Sequence, residues 1–210
     1  MKIALINENS QAAKNGIIHD ALTAVAEPLG HEVHNYGMYT ADDDAQLTYP
    51  MVGLLTGILI NSGAADFVVT GCGTGSGSML AANCMPGVFC GLVIDPTDAF
   101  LFAQINDGNA VAMPYAKGFG WAAELNLQDC YRKLFEGESG VGYPRERAAI
   151  MARNRSVLAQ MKATTCHAMM SVLRNVDQDL LKSAIAGEQF VDLFYPHSRD
   201  DEISAYLRGL

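Results

Sequence analysis

The chain has 210 residues, half of them hydrophobic and 18% charged, with a formal charge of −9. That is enough apolar material for one large domain with an appendage, and it excludes a disordered or coiled-coil chain. The acidity argues against a nucleic-acid binder, and the longest apolar run, residues 51–60, is about half of a membrane span.

Residues 2–7 are a short apolar run and predict a buried strand; the run is too short for a signal-peptide core. Asn9 or Ser10 can cap a helix reaching about Pro28, with Ile17, Ile18, Leu22 and Val25 at helical spacing. Gly30 ends it, and 31–36 reads as a second strand. Residues 46–62 fit a helix that is apolar nearly all round, hence one buried on most sides. A third strand over 66–70 leads into glycine-rich 71–78 and a helix from about Met79. Strand 88–94, a helix over 96–106 with proline in its first turn, strand 109–113 and a helix over 118–135 follow. After Gly137 the pattern changes. Residues 140–144 form a turn-rich hinge, and 147–162 a helix with Ile150, Met151, Val157, Leu158 and Met161 on one side. Residues 164–210 read as further short helices.

Strands alternating with helices at this spacing predict a Rossmann-like three-layer α/β sandwich with a five-stranded, mostly parallel sheet. A core over 1–140 then carries a C-terminal helical extension over 141–210. Such sheets bind ligands at the carboxyl ends of strands, beside a topological switch point.

Charge is unevenly spread. Residues 1–131 are net −10, residues 132–162 net +4 and residues 163–210 net −3. Half of the positive charge thus sits in one short stretch, either a solvated helix face or a local anion site. The five cysteines (Cys72, Cys84, Cys90, Cys130, Cys166) contain no C-x-x-C pair and read as reduced thiols of a cytoplasmic protein.

The segment Gly71-Cys-Gly-Thr-Gly-Ser-Gly-Ser78 follows a strand and opens a helix, so backbone N–H groups converge there with a helix dipole behind them. The dinucleotide fingerprint G-x-G-x-x-G fails in every register, although Asp95 lies where a ribose-binding acid would. The Walker loop fails for want of its lysine. What is left is an anion or oxyanion cradle with a cysteine built in. A thiol at a helix N-terminus has its thiolate favoured, which singles out Cys72. The other four cysteines read as small buried apolar residues. No motif pairs a histidine with Cys72, and His31-x-x-His34 places its two rings on opposite faces of a strand. No metal site and no cofactor are expected. A thiolate base beside N–H donors suits proton transfer next to a carbonyl through an enediolate.

Cys72-Gly-Thr-Gly-x-Gly77, Ala81-Ala-Asn83, Gly87, Pro96 and Asn106-Asp-x-Asn109 resemble the ribose-5-phosphate isomerase B and galactose-6-phosphate isomerase family. Weaker agreement extends over residues 1–150. The resemblance implies a Rossmann-like sheet without nucleotide, a homodimer or homotetramer with a shared site, and metal-independent aldose–ketose isomerisation of a small anionic sugar. It implies Cys72 as the base, with Gly73, Thr74, Gly75, Ser76 and Gly77 holding the enediolate oxygens and Asn106 bonding the substrate carbonyl or hydroxyl. Glu8 stands where the family has an aspartate contacting the sugar.

There are departures. Asn9 replaces a histidine near the phosphate, and Ile105 replaces the histidine that opens the sugar ring. The family's arginine pair is not reproduced, leaving Arg145 and Arg147 as candidates for the substrate's anionic end. The chain resembles a long-form branch, some of whose members act on unsaturated-uronate breakdown products. A sugar phosphate is the first expectation, and an open-chain 4-deoxy-5-keto-uronate the alternative that Asn9 and Ile105 point toward. A non-catalytic sugar-phosphate-binding subunit is the alternative of another class.

Overall fold

The computed structural model describes all of residues 1–210. Five parallel strands form the sheet: β1 (Lys2–Asn7), β2 (Glu32–Asn35), β3 (Phe67–Cys72), β4 (Cys90–Leu92) and β5 (Ala110–Pro114), in the order β2-β1-β3-β5-β4. β1 and β3 lie inside the sheet and are apolar almost throughout. Alternation divides their side chains between two cores. Ile3, Leu5, Phe67, Val69, Val111 and Met113 face one way, and Ala4, Ile6, Val68, Ala110 and Ala112 the other.

The first face is covered by α1 (Asn15–Ala26), α4 (Pro96–Leu101) and α5 (Ala123–Phe135), the second by α2 (Tyr49–Asn61) and α3 (Ser76–Asn83). After α6 (Ala148–Thr165) come α7 (Met169–Asn175), α8 (Gln178–Ile185), α9 (Glu188–His197) and α10 (Asp201–Arg208). These last four helices share the α2 core: Leu173, Leu181, Phe190, Phe194 and Leu207 are buried in one cluster with Leu54, Leu55 and Ile58. That is why α2 is apolar all round. It has the sheet on one side and α3, α7 and α8 on others.

Several expected boundaries move. The first helix splits into a 3₁₀ turn over Asn9–Lys14, α1, and a second 3₁₀ turn over Glu27–Leu29 around Pro28. The second helix starts at Tyr49, and the fifth at Ala123 after a left-handed Ala122. The helix from Pro96 changes to π geometry over Phe102–Asn106. Asp95 accepts from the N–H groups of Thr97 (2.8 Å) and Asp98 (2.9 Å), so its carboxylate caps α4 and is no ribose ligand. On α6 the predicted apolar side faces solvent: Ile150, Val157, Leu158 and Met161 are all exposed. The helix stands against the π turn and is held by polar contacts of Arg155 and Lys162. Cys84 is exposed and Cys166 half-buried, because each sits at the end of its helix instead of on the packed face.

Phe194 is fully buried and stacks on Phe190 at 4.7 Å. Phe194→Ala is expected to cost about 3–5 kcal/mol, read as a lowered urea midpoint with an unchanged m-value.

Candidate functional site

The chain runs from β1 through α1 to β2 on one side, then crosses to β3 on the other. The switch point therefore lies between the carboxyl ends of β1 and β3. Glu8 and Cys72 stand there, with the Glu8 N–H reaching the Gly71 carbonyl at 3.4 Å. β3 continues through Cys72 and α3 begins at Ser76, so the glycine-rich turn is shorter than the sequence predicts. Two glycines make this possible. A Cβ on Gly71 would lie 2.3 Å from the Met113 carbonyl oxygen, and Gly75 turns at φ +75° with its missing Cβ 2.6 Å from Leu92.

The turn is built around the Cys72 sulfur. Burial pushes the thiol up, yet hydrogen bonds from the Ser78 N–H and hydroxyl, and from the N–H groups of Thr74 and Gly77, outweigh it and the net shift is downward. Ser78 is fully buried, and its hydroxyl, which has no other partner, favours the ionised sulfur. Sequence reasoning did not assign Ser78, whose position one turn into α3 was the available signal. Cys90 and Cys130 go the other way, pushed up to about 12 by burial.

Around this centre the Glu8 carboxylate is 8% exposed and accepts from the Ser10 hydroxyl (2.6 Å) and N–H (3.2 Å). Gln11 donates to Ser10 (3.0 Å), and Lys14 donates to Gln11 (2.8 Å) and to the Tyr115 carbonyl. Lys14 also lies over the Phe119 ring. Gln11 borders Gly73, and the Tyr49 ring borders Gly77; neither Gln11 nor Lys14 was singled out from sequence. Thr74 is exposed and Asn9, Gly73, Ser76 and Gly77 are half-buried, so the cluster opens to solvent. The Asn9 N–H is bonded to the Leu47 carbonyl.

Asn106, Arg145 and Arg147 are elsewhere. Asn106 precedes β5, whose first residue is in register with Val68 and whose last is in register with Cys72. The strand between them is about 13 Å long. Asn106 is exposed at the amino end of the sheet, lining a cavity of about 370 Å³ with Phe89 and Phe102. The hinge bonds to the same π turn, through Gly140 N–H to Ala103 and Gly142 N–H to Gln104 (both 2.9 Å). Arg145 and Arg147 follow it, exposed and in no ion pair. Ile105 is half-buried, its carbonyl accepting from Arg155 (3.3 Å), and Asp107 pairs with Arg155 at 3.5 Å. The expected site residues thus fall into two groups at opposite ends of the sheet.

Comparison with known proteins gives the family of the chain. Residues 3–134 match a family model described as ribose/galactose isomerase, and residues 164–210 a second described as ribose-5-phosphate isomerase. A 4-deoxy-L-threo-5-hexosulose-uronate ketol-isomerase, solved with a tartrate, is 55% identical (100% of this chain, 98% of that one, TM-score 0.98). A ribose-5-phosphate isomerase from Vibrio parahaemolyticus is 48% identical over the same shares, with a TM-score of 0.97. A ribose 5-phosphate isomerase from Thermotoga maritima, 24% identical, covers 72% of this chain and 97% of its own with a TM-score of 0.55, and shows the fold alone.

The sulfur geometry has a direct consequence for titration. Site-resolved alkylation of Cys72 against pH is expected to inflect below the ordinary thiol range near 8.5, and Ser78→Ala to move the inflection upward. An unchanged inflection in that variant would remove Ser78 from the cradle.

Proposed function

Because the chain belongs to the ribose/galactose isomerase family and is an aldose–ketose isomerase, we propose that its substrate is an open-chain keto aldehyde bearing a carboxylate, of the hexosulose-uronate class. The observation that carries this reading is the makeup of the turn before Asn106. Phe102-Ala-Gln-Ile-Asn106 has no side chain able to move a proton, and the next residue, Asp107, is held by Arg155. A substrate locked in a stable ring would need such a group to open it; an open-chain aldehyde does not. The 55% identical uronate ketol-isomerase supports the same class. The 48% identical ribose-5-phosphate isomerase supports a second reading, a sugar phosphate.

In the proposed reaction the Cys72 thiolate takes the proton from the hydroxyl-bearing carbon beside the aldehyde. The electrons of that C–H bond form the carbon–carbon double bond of an enediolate, and the aldehyde oxygen takes up the charge. Return of the proton to the former aldehyde carbon gives the ketose, with no net change in oxidation level. Thr74, Gly77 and Ser78 direct donors at the sulfur, so the glycine turn acts first as a cradle for the base. The Thr74 hydroxyl, Gly73, Gly75 and Ser76 are then assigned to the enediolate oxygens, with Glu8 moving the hydroxyl proton between them and Asn9 at the edge of the site.

The other half-site joins from a second copy. Lys14 is the cation beside the Cys72 cluster, and it is committed to Gln11 and Tyr115. The substrate carboxylate therefore goes to Arg145 and Arg147 of the second copy, whose forked guanidinium groups suit carboxylate as well as phosphate, with Asn106 bonding the carbonyl.

In deuterated water the enzyme is expected to place label on the ketose carbon formed from the uronate aldehyde, and Cys72→Ala to slow exchange by about 10²–10⁴. Faster turnover of ribose 5-phosphate than of the uronate would favour the phosphate reading, and undiminished exchange in the variant would end the thiolate mechanism. Mixing Cys72→Ala with Asn106→Ala subunits, each nearly inactive alone, is expected to restore about a quarter of wild-type activity through heterodimers with one intact site. No recovery would place both half-sites in one chain.

A further inference from the structure

At the amino end of the sheet, two histidines and a glutamate from distant parts of the chain converge. Glu32 and His34 lie two apart on the edge strand β2 and so share a face. His197 closes α9 of the extension. The His34 and His197 ring centroids are 4.3 Å apart, and Glu32 Oε2 is 3.6 Å from His34 Nε2. One ligand atom from each of the three side chains lies within 4.8 Å of the other two. His31 faces the opposite way, against Phe135, as its spacing from His34 predicts.

The nitrogens are set up as acceptors. His197 Nδ1 donates to the Leu193 carbonyl at 2.7 Å, which fixes the tautomer and leaves the lone pair on Nε2. His34 Nε2 is shielded from solvent and has no hydrogen-bond partner. Burial pushes His34 below the ordinary histidine value; His197 and Lys2 act in the same direction and Glu32 against it. The neutral ring, the ligand form, is thereby favoured. Lys2 is the cation that acts on His34. Its ammonium is turned onto the carbonyls of Gly63 (2.8 Å) and His197 (3.0 Å), and burial and the nearby Arg199 both lower its pKa.

We propose that Glu32, His34 and His197 bind a divalent transition metal of borderline softness, best fitted by zinc, which fastens the C-terminal extension to the edge of the sheet. Two imidazoles and one carboxylate, with water as fourth ligand, suit tetrahedral zinc. Donors at 2.0–2.1 Å from the ion stand about 3.3 Å from one another, so side chains whose ligand atoms now lie within 4.8 Å must turn toward the ion by about 1.5 Å at most. The site lies roughly 16 Å along β1 from Glu8 and Cys72, so the ion acts on docking of the extension and takes no part in isomerisation.

The test uses full-length, metal-stripped protein titrated with zinc and, because five thiols compete, with cobalt, whose thiolate complexes show a near-ultraviolet charge-transfer band. The expected result is one equivalent bound in the micromolar range with no thiolate band. Melting should rise by roughly 5 °C at a hundredfold excess over Kd, and the isomerisation rate should not change. Glu32→Gln, a change on an exposed side chain, is expected to weaken binding at least tenfold, and His197→Gln more. Absence of stoichiometric binding, a thiolate band, or affinity that Glu32→Gln leaves intact would each overturn the assignment.

Discussion

A thiol buried at a strand end, drawn toward its anion by hydrogen bonds and without a cation directed at it, is the constraint on which the proposed site depends. Hydrogen bonds to the charged form are what make such a group tolerable, and here they come from Thr74 and from the first turn of α3. That turn can wrap the sulfur only because β3 runs tight against β5 at Gly71 and the backbone reverses at Gly75 through a left-handed conformation. The glycines are therefore required by geometry upstream of any substrate. Ser78 completes the same shell from within the helix, where a hydroxyl would otherwise be an unsatisfied buried donor.

The second constraint is topological. In a parallel sheet the carboxyl and amino ends are fixed on opposite sides, so residues at the end of β3 and before β5 cannot meet within one chain. The proposed reaction, which uses both sets, therefore calls for a second copy of the chain. The charge distribution follows from the same fact. Of the basic stretch over 132–162, Arg155 and Lys162 are spent on Ile105, Asp107, Asn83 and Val88, docking α6. Arg145 and Arg147 are left uncommitted, which leaves them for the anionic substrate proposed above.

Much of this was legible in the sequence because local rules govern it. Short apolar runs alternating with helical stretches marked all five strands, and the glycine-rich turn after β3 singled out Cys72 without any knowledge of the fold. The misplaced start of α3 shows the limit: glycine-rich sequence predicts loop, whereas the sulfur shell requires helix from Ser76. Cys84 and Cys166 read as buried because cysteine usually is, and helix ends decided otherwise. The apolar residues of α6 had the right spacing but no partner within the chain. Cooperation between Glu32 and His197 was invisible, since nothing in local pattern ties a β2 residue to the end of α9.

The extension also bears on the chemistry. Helix α2 would present Leu55, Ile58 and their neighbours to water if α7–α10 were absent, because the sheet covers only one of its sides. α2 in turn packs along α3, and α3 carries the N–H groups that hold the Cys72 sulfur. The helices after residue 165 thus form the outer wall of the layer that positions the Cys72 sulfur. A displaced extension would loosen α2 first and the thiolate cradle next, although no residue beyond 165 touches it. On this view the added length does at a distance what a close contact would do locally, by keeping the first turn of α3 in the one orientation that stabilises a buried charge.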